Sequence, residues 1–299
     1  MHHPVKKRRV QTDYLWAYFL IAPTIIGLIA LNIYPFFNTI FLSLYKKQGL
    51  VGMRFAGLDN YSKMFADPLT WQTTGNTLLY TLYTVPIGIA IALVLAVLLN
   101  NRIKFKNLFR GIYFLPIVVA PAAIAMVWRW ILNAEFGIFN QFLALFGVQP
   151  IVWMATPGVT LVATAIIGVW SSVGYDVILL LAGLQSIPRV FYEAADIDGV
   201  NAWQRFFYIT LPQLSPVIFF TLVLRTMSAL KQFDTIYLLV QKANPAFRST
   251  QTLMLQFFNE AFQKHNQGYA SAIVIWTFAI IMLFTVLQFI GEKKLVHYE

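Results

Sequence analysis

The 299-residue chain contains no cysteine, which excludes a disulfide scaffold, a thiolate metal site and a cysteine nucleophile together. Histidine is almost as scarce, with only His2, His3, His265 and His297. Three of these stand near a terminus and no pair has the i, i+4 spacing of a helical zinc site, which argues against a catalytic metal. Charge is thin as well. Asp, Glu, Lys and Arg make up 11% of the residues against 59% apolar ones, with a mean hydropathy of +0.65, and such a surface is too poor in charge for a water-soluble chain. No Gly-x-x-x-x-Gly-Lys-Ser/Thr loop is present to cradle nucleotide phosphates. Paired acids and a serine-base constellation are likewise missing from positions that define chemistry, so an intramembrane hydrolase has little support.

Long apolar runs fill the space that charge leaves. Between Asp13 and Lys46 no charged residue occurs, and the run is long enough to cross a bilayer as a tilted helix. It exceeds the apolar core of a cleavable signal and continues into aromatics and Pro35, so it reads as a retained span. Pro23, which has no amide donor, is expected to bend it. Further spans are expected at 76–99, 111–132, 159–184, 214–233 and 269–290, giving six helices. The runs are continuous and not alternating, which favours helices over a barrel. Arg129, Arg225 and Lys231 interrupt the third and fifth, and belong near interfaces or facing the bundle.

The net charge of +10 lies in short patches between apolar segments, a distribution that points to a membrane and not to nucleic acid. With the amino terminus inside, the inner set is Lys6, Lys7, Arg8, Arg9, Arg102, Lys104, Lys106, Arg110, Arg189, Arg205, Lys293 and Lys294. It outnumbers the outer set of Lys46, Lys47, Arg54, Lys63, Lys242, Arg248 and Lys264, which puts both termini in the cytoplasm. Outer connections at 40–75, 133–158 and 234–268 are expected to form ordered turns or short surface helices. Trp16, Trp71, Trp128, Trp130, Trp153 and Tyr269 fall near span ends, where amphipathic rings suit the headgroup layer.

The segment QSIPRVFYEAADIDGVNAWQRFFYITLPQLSP at 185–216 is unusually structured for an inner loop. Pro188 suits a helix start, and Glu193, Asp196 and Asp198 are expected to place negative charge early in that helix. Gly199 is expected to end it, with Pro212 and Pro216 marking entry to the next span. Ala194 and Ala195 permit close approach, while Val190, Phe191, Tyr192, Trp203, Phe206 and Phe207 supply apolar anchors. Two readings follow from these residues alone: docking into another protein's groove, or a helix lying flat in the lipid surface.

The same segment resembles the cytoplasmic loop of binding-protein-dependent ABC importer permeases, written EAA, three residues, Gly, then a Leu-Pro end. Glu193, Ala194, Ala195, Asp198, Gly199, Leu211 and Pro212 carry the match. FAGLDNY at 55–61, NTLLYT at 76–81, FRGIYFLP at 109–116, LLLAGLQSIP at 179–188 and GYASA at 268–272 extend it over nearly the whole chain. They resemble the sugar permeases of the maltose, multiple-sugar and glycerol-phosphate group. The resemblance implies an all-α polytopic membrane protein with six transmembrane helices in the type I ABC importer permease fold. It forms a single domain over 1–299 with a cytoplasmic coupling segment at 185–213. In that family the loop is a coupling helix seated in a cleft of a cytoplasmic ATPase. The match assigns that contact to Glu193, Ala194, Ala195, Asp198 and Gly199, with Arg205, Phe206 and Pro212 supporting the attachment to the membrane helices. Two ABC ATPase subunits carrying ATP and Mg are implied, with a second permease subunit, an extracytoplasmic solute-binding protein and a sugar or oligosaccharide cargo; the chain itself binds no cofactor. The implied site is a prokaryotic cytoplasmic membrane. Two departures stand out: Val200 replaces the small residue usual after the Gly, and Lys242-Ala243-Asn244-Pro245 occupies a region often written Gly-Gly-Pro.

A carbohydrate path needs hydrogen-bonding groups and aromatic faces in a largely apolar wall. Trp170, Ser171, Ser172, Tyr175 and Asp176 in the fourth span are the candidates. A lipid-facing carboxylate is costly, so three roles are open to Asp176: binding substrate, pairing with a basic group, or meeting water at the interface. Arg225 and Lys231 are candidates to pair with acids of a partner subunit. Arg129, between Trp128 and Trp130, reads as structural, whereas Asn133, Glu135 and Gln141 either meet cargo or its binding protein or solvate their loop. Glycerol phosphate or a polyol is the alternative cargo, and an ion-driven secondary transporter the alternative class.

Overall fold

The computed structural model describes residues 8–48, 52–101 and 106–296. Lys6, Lys7, Arg102, Lys104, His2, His3 and His297 lie outside the described residues. The first span is α1 (Arg8–Leu28), a π-helical turn over Ile29–Ile33, and α2 (Tyr34–Ser43). Pro23 sits inside α1, while Pro35 falls in the first turn of α2, where its missing amide is tolerated. The π turn ends two residues before Pro35, and a widened turn accommodates a residue that cannot donate to the carbonyl one turn back.

After α2 comes an antiparallel hairpin, β1 (Tyr45–Gln48) and β2 (Gly52–Phe55), with Tyr45 opposite Phe55 and Lys46 opposite Arg54. Turns and helices were expected here; the strands form because Tyr45 and Phe55 face each other as a packed ring pair, centroids 5.5 Å apart. Helix α3 (Asp59–Ala66) follows, and then α4 (Pro68–Asn100). The last of these begins well before the expected residue 76. Asp67 caps it by accepting from the Leu69 amide at 2.9 Å, and Pro68 occupies the first helical position. Its 33 residues reach about 50 Å, more than a hydrocarbon core needs.

The third expected span, 111–132, is not one helix. Helix α5 (Lys106–Val118) and α6 (Pro121–Ile131) are separated by a two-residue break, and the pair bends by 112°. Pro121 explains the break: it starts α6 without an amide to give and holds Ala120 in an extended conformation (φ −59°, ψ 136°). A short α7 (Ile138–Ala144) leads to α8 (Val159–Ser186), whose bounds match the expected fourth span closely. Helices α9 (Arg189–Ile197) and α10 (Ala202–Arg205) connect through a second π turn to α11 (Leu211–Leu230). Three short helices follow, α12 (Asp234–Leu239), α13 (Phe247–Thr250) and α14 (Leu253–Phe258), and α15 (Gln267–Leu295) closes the chain. Among the described residues, five helices are long and apolar enough to cross a membrane, and the bent pair provides a sixth crossing if counted as one span.

Helices α4, α8 and α11 form the centre, with α15 packed against α2 and α14. Small residues let α4 and α8 approach: Ala92 and Ala96 are buried against Val177, Leu180 and Leu184. Gly174 does the same for α5, because a β-carbon there would run into the Tyr113 carbonyl. At the end of the bundle that carries the hairpin, α4 presents a buried polar face. Thr73 Oγ1 donates to Gln256 Oε1 at 2.6 Å, and Gln256 Nε2 donates to Thr70 Oγ1 at 3.1 Å. Tyr269 belongs to this network and is not a headgroup anchor: it is buried, and its hydroxyl donates to Asp67 Oδ2 at 2.9 Å. Trp153 is also buried, donating to Asn140 Oδ1 at 2.8 Å. Trp16, Trp71 and Trp130 remain exposed, as suits anchors.

Candidate functional site

Two features at different depths of the bundle carry the sequence candidates. The first is α9 and its surroundings. Pro188 (φ −60°, ψ 134°) ends the approach from α8 and stands at the N-cap of α9, so the helix begins at Arg189. No acid falls in the first turn, contrary to expectation. Glu193 lies mid-helix, Asp196 in the last turn and Asp198 at the C-cap. Gly199 does end the helix, in the left-handed conformation (φ +69°) that costs glycine little, and the Val200 amide folds back onto the Ala195 carbonyl at 3.1 Å.

Helix α9 has two unlike faces. Phe191 and Tyr192 pack on the core, Ala195 is buried, and Tyr192 Oη lies 3.2 Å from Thr210 Oγ1. The opposite face carries Val190, Glu193, Ala194 and Ile197, spaced i, i+3, i+4, i+7, all exposed and with Ile197 at 87%. Of the two alanines expected to allow close approach, only Ala194 faces out. Arg205 ties the segment together, its guanidinium Nη2 pairing with the Asp196 carboxylate across to α9. An Asn201–Gln204 capping box starts α10, Phe206 is half-buried, and Pro212 sits in the first turn of α11. Trp203, Phe207 and Tyr208 add exposed rings beside the stripe.

The second feature is a cavity of about 410 Å³ in the elbow of the bent span. Pro116, Ile117, Pro121 and Ile124 form the apolar side; Ser171, Ser172 and Tyr175 come from α8; Arg225 and Ser228 come from the end of α11 and Gln232 from the link after it; Asp234 and Thr235 begin α12. The break at Ala120 thus leaves the space that a straight helix would fill. Ser172 Oγ already donates to the Gly168 carbonyl at 2.6 Å, so its free capacity is as an acceptor. Two candidates lie elsewhere. Trp170 packs edge-on against Trp128, with centroids 5.5 Å apart, and lines a separate apolar groove with Tyr83, Ile87 and Val162. Asp176 is fully buried behind the wall with Oδ2 2.9 Å from Arg225 Nε, which selects the pairing role among the three open to it. Arg225 therefore has an acid of its own chain as a partner.

Sequence reasoning did not assign Ser228, Gln232, Asp234 and Thr235 to the cavity, nor Arg225. The spacing of Arg225 and Ser228, i, i+3, was the available signal for one helix face, and Gln232 follows in the link after that helix. Arg129 is structural, donating to the Leu238 carbonyl at 2.8 Å and bracing α6 to α12. Asn133 and Gln141 are engaged inside their loop, Asn133 Oδ1 accepting from the Glu135 amide and Gln141 Nε2 donating to the Phe136 carbonyl.

Residues 77–297 match the family described as the binding-protein-dependent transport system inner membrane component. The chain belongs to this family and is a multi-pass membrane permease component. The probable ABC transporter permease protein YesP of Bacillus subtilis (strain 168) is 36% identical over 297 residues, covering 98% of this chain and 96% of that protein. The lactose transport system permease protein LacF of Rhizobium radiobacter is 35% identical over 274 residues, 90% of each chain. The trehalose/maltose transport system permease protein MalF of Thermococcus litoralis is 34% identical over 270 residues, again 90% of each. A solved bacterial ABC transporter involved in import of the acidic polysaccharide alginate superposes with a TM-score of 0.84 at 22% identity, over 97% of this chain and 99% of that one. That likeness shows the fold, the type I ABC importer permease fold.

Proposed function

We propose that the chain is one permease half of an ATP-driven importer for a sugar or short oligosaccharide. The cavity carries the reading: hydroxyl, amide and phenol groups of Ser171, Tyr175, Ser228 and Gln232 are set into an apolar wall at the break of a membrane helix. Such a wall gives sugar hydroxyls partners while the ring faces stay dry. Discontinuous helices at membrane depth occur where they line a cavity, and the elbow at Ala120 is of that kind. Relatives named for lactose and for trehalose and maltose support the cargo class.

A complete importer in this reading has a second permease subunit, two ATPase subunits that hold ATP and Mg, and an extracytoplasmic binding protein. The chain contributes no nucleotide site and forms one membrane domain over 1–299, with both termini in the cytoplasm. Its coupling segment, 185–213, presents Val190, Glu193, Ala194 and Ile197 to an ATPase groove, with Asp198 and Gly199 at the helix end. Arg205, Phe206 and Pro212 hold that segment to the bundle, and buried Ala195 sets how closely α9 lies on it.

Co-reconstitution of the chain with its three kinds of partner in proteoliposomes tests this. ATP-dependent uptake of one member of a panel of neutral sugars, lost when the ATPase is omitted, is the expected result. Uptake driven by an ion gradient without the ATPase would overturn the class, and preference for glycerol phosphate or a polyol would overturn the cargo.

A further inference from the structure

We propose that the cavity selects an uncharged sugar against its anionic counterpart, and that Asp176 and Asp234 set this preference. The inference rests on reading the cavity as the cargo chamber. Among the described residues that line it, Arg225 and Asp234 are the charged ones. A free arginine in such a wall would offer a carboxylate or phosphate its planar fork. Here the charge of that arginine is already countered: Asp176, with no exposed surface, lies 2.9 Å from Arg225 Nε, and the arginine side chain is itself only 11% exposed. On its other side the guanidinium is wedged against α4, where a β-carbon on Gly88 would come within 3.3 Å of Nη2. The cation is thus pinned between α4 and α8 and neutralised before any cargo arrives.

Asp234 remains. It is exposed at the first position of α12, and it leaves the chamber with two carboxylates and one guanidinium. An uncompensated carboxylate on the wall repels a second one brought into the same chamber. A uronate carboxylate entering the chamber would find its one cation already compensated by Asp176 and would meet Asp234. Sugar hydroxyls would still find Ser171, Tyr175 and Gln232.

The test is saturation-transfer NMR on the whole importer in nanodiscs at neutral pH, with cellobiose and cellobiouronate as a matched neutral and anionic pair. Asp176→Asn keeps the shape and releases the charge of Arg225. It is expected to shift the affinity ratio toward the uronate at least tenfold, about 1.4 kcal/mol. Asp234→Asn is exposed, does not touch the buried pair, and is expected to shift the ratio in the same direction by several-fold, so it decides the matter should Asp176→Asn fail to assemble. Unchanged ratios in assembled variants, or a wild-type preference for the uronate, would overturn the inference. Gln232→Ala and Tyr175→Phe separate the two levels of the argument. If they weaken both sugars while the ratios in the Asp176→Asn and Asp234→Asn variants match the wild type, the chamber stands and the selectivity proposal falls. If they leave both sugars unaffected, the cavity is not the cargo site and both readings fall.

Discussion

Asp176 Oδ2 and Arg225 Nε stand 2.9 Å apart across the seam of α8 and α11, with the aspartate wholly inside the bundle. Desolvating both charges is expensive, and the pair repays this only while both members are present. Arg225→Met should therefore strand a buried carboxylate and cost about 3–5 kcal/mol. The double variant Asp176→Leu/Arg225→Met removes both charges and should recover most of that loss. Thermal unfolding of the detergent-purified complex distinguishes them; a double variant no more stable than the single one would count against a simple pair.

Gly168 packs under the ring of Tyr80, and a β-carbon there would strike the tyrosine hydroxyl. Gly168→Ala is expected to push α4 and α8 apart and lower the melting temperature. Tyr80→Phe removes the atom in the way, so Gly168→Ala/Tyr80→Phe should melt nearer the wild type than Gly168→Ala alone. Failure of that partial rescue would place the steric conflict elsewhere on the seam.

These two contacts join residues far apart in sequence, which explains what could be read in advance and what could not. The span at 159–184 was legible as Val159–Ser186 because its apolar run is continuous. The start of α4 was not, because Thr70, Thr73, Thr74 and Thr77 lower its hydropathy. Their hydroxyls nevertheless bond back to helix carbonyls, Thr74 to the Thr70 carbonyl at 2.7 Å and Thr77 to that of Thr73 at 2.7 Å, so the helix runs on through polar sequence. Pro116 and Pro121 were visible in the third span, but a proline inside a helix and one that starts a new helix look alike until the backbone of Ala120 is known. In the cavity, Ser171, Ser172 and Tyr175 were found from polarity within an apolar run. Trp170, chosen as an aromatic face for stacking, falls on another side of the helix, and Asp176 points to Arg225, a partner that spacing along the chain does not disclose.

Tyr269 at the start of α15 closes the polar network through Asp67, the residue that also caps α4. Tyr269→Phe deletes the hydrogen bond to Asp67 and the longer contact with Thr70 Oγ1, and should cost about 1 kcal/mol. Asp67→Ala loses that bond and the cap together and should cost about 2 kcal/mol or more. The order of the two melting temperatures is the check, and equal losses would mean that the cap contributes nothing.

The outward stripe of α9 allows stability and coupling to be separated. Ile197 is 87% and Val190 63% exposed, so Ile197→Asp and Val190→Asp should leave the melting temperature of the permease within the range of ordinary surface changes, about 0.5 kcal/mol. If the stripe fills an ATPase groove, each should also release the ATPase on size-exclusion chromatography and lower ATP-driven uptake at least tenfold, because a carboxylate in an apolar pocket is left without a partner. Ala195→Leu is the counter-case: it overfills a buried site between α9 and the bundle and should destabilise the permease by about 1–3 kcal/mol. If the stripe instead lies in the lipid surface, the aspartate variants would lose neither ATPase nor uptake, and the coupling assignment would be withdrawn.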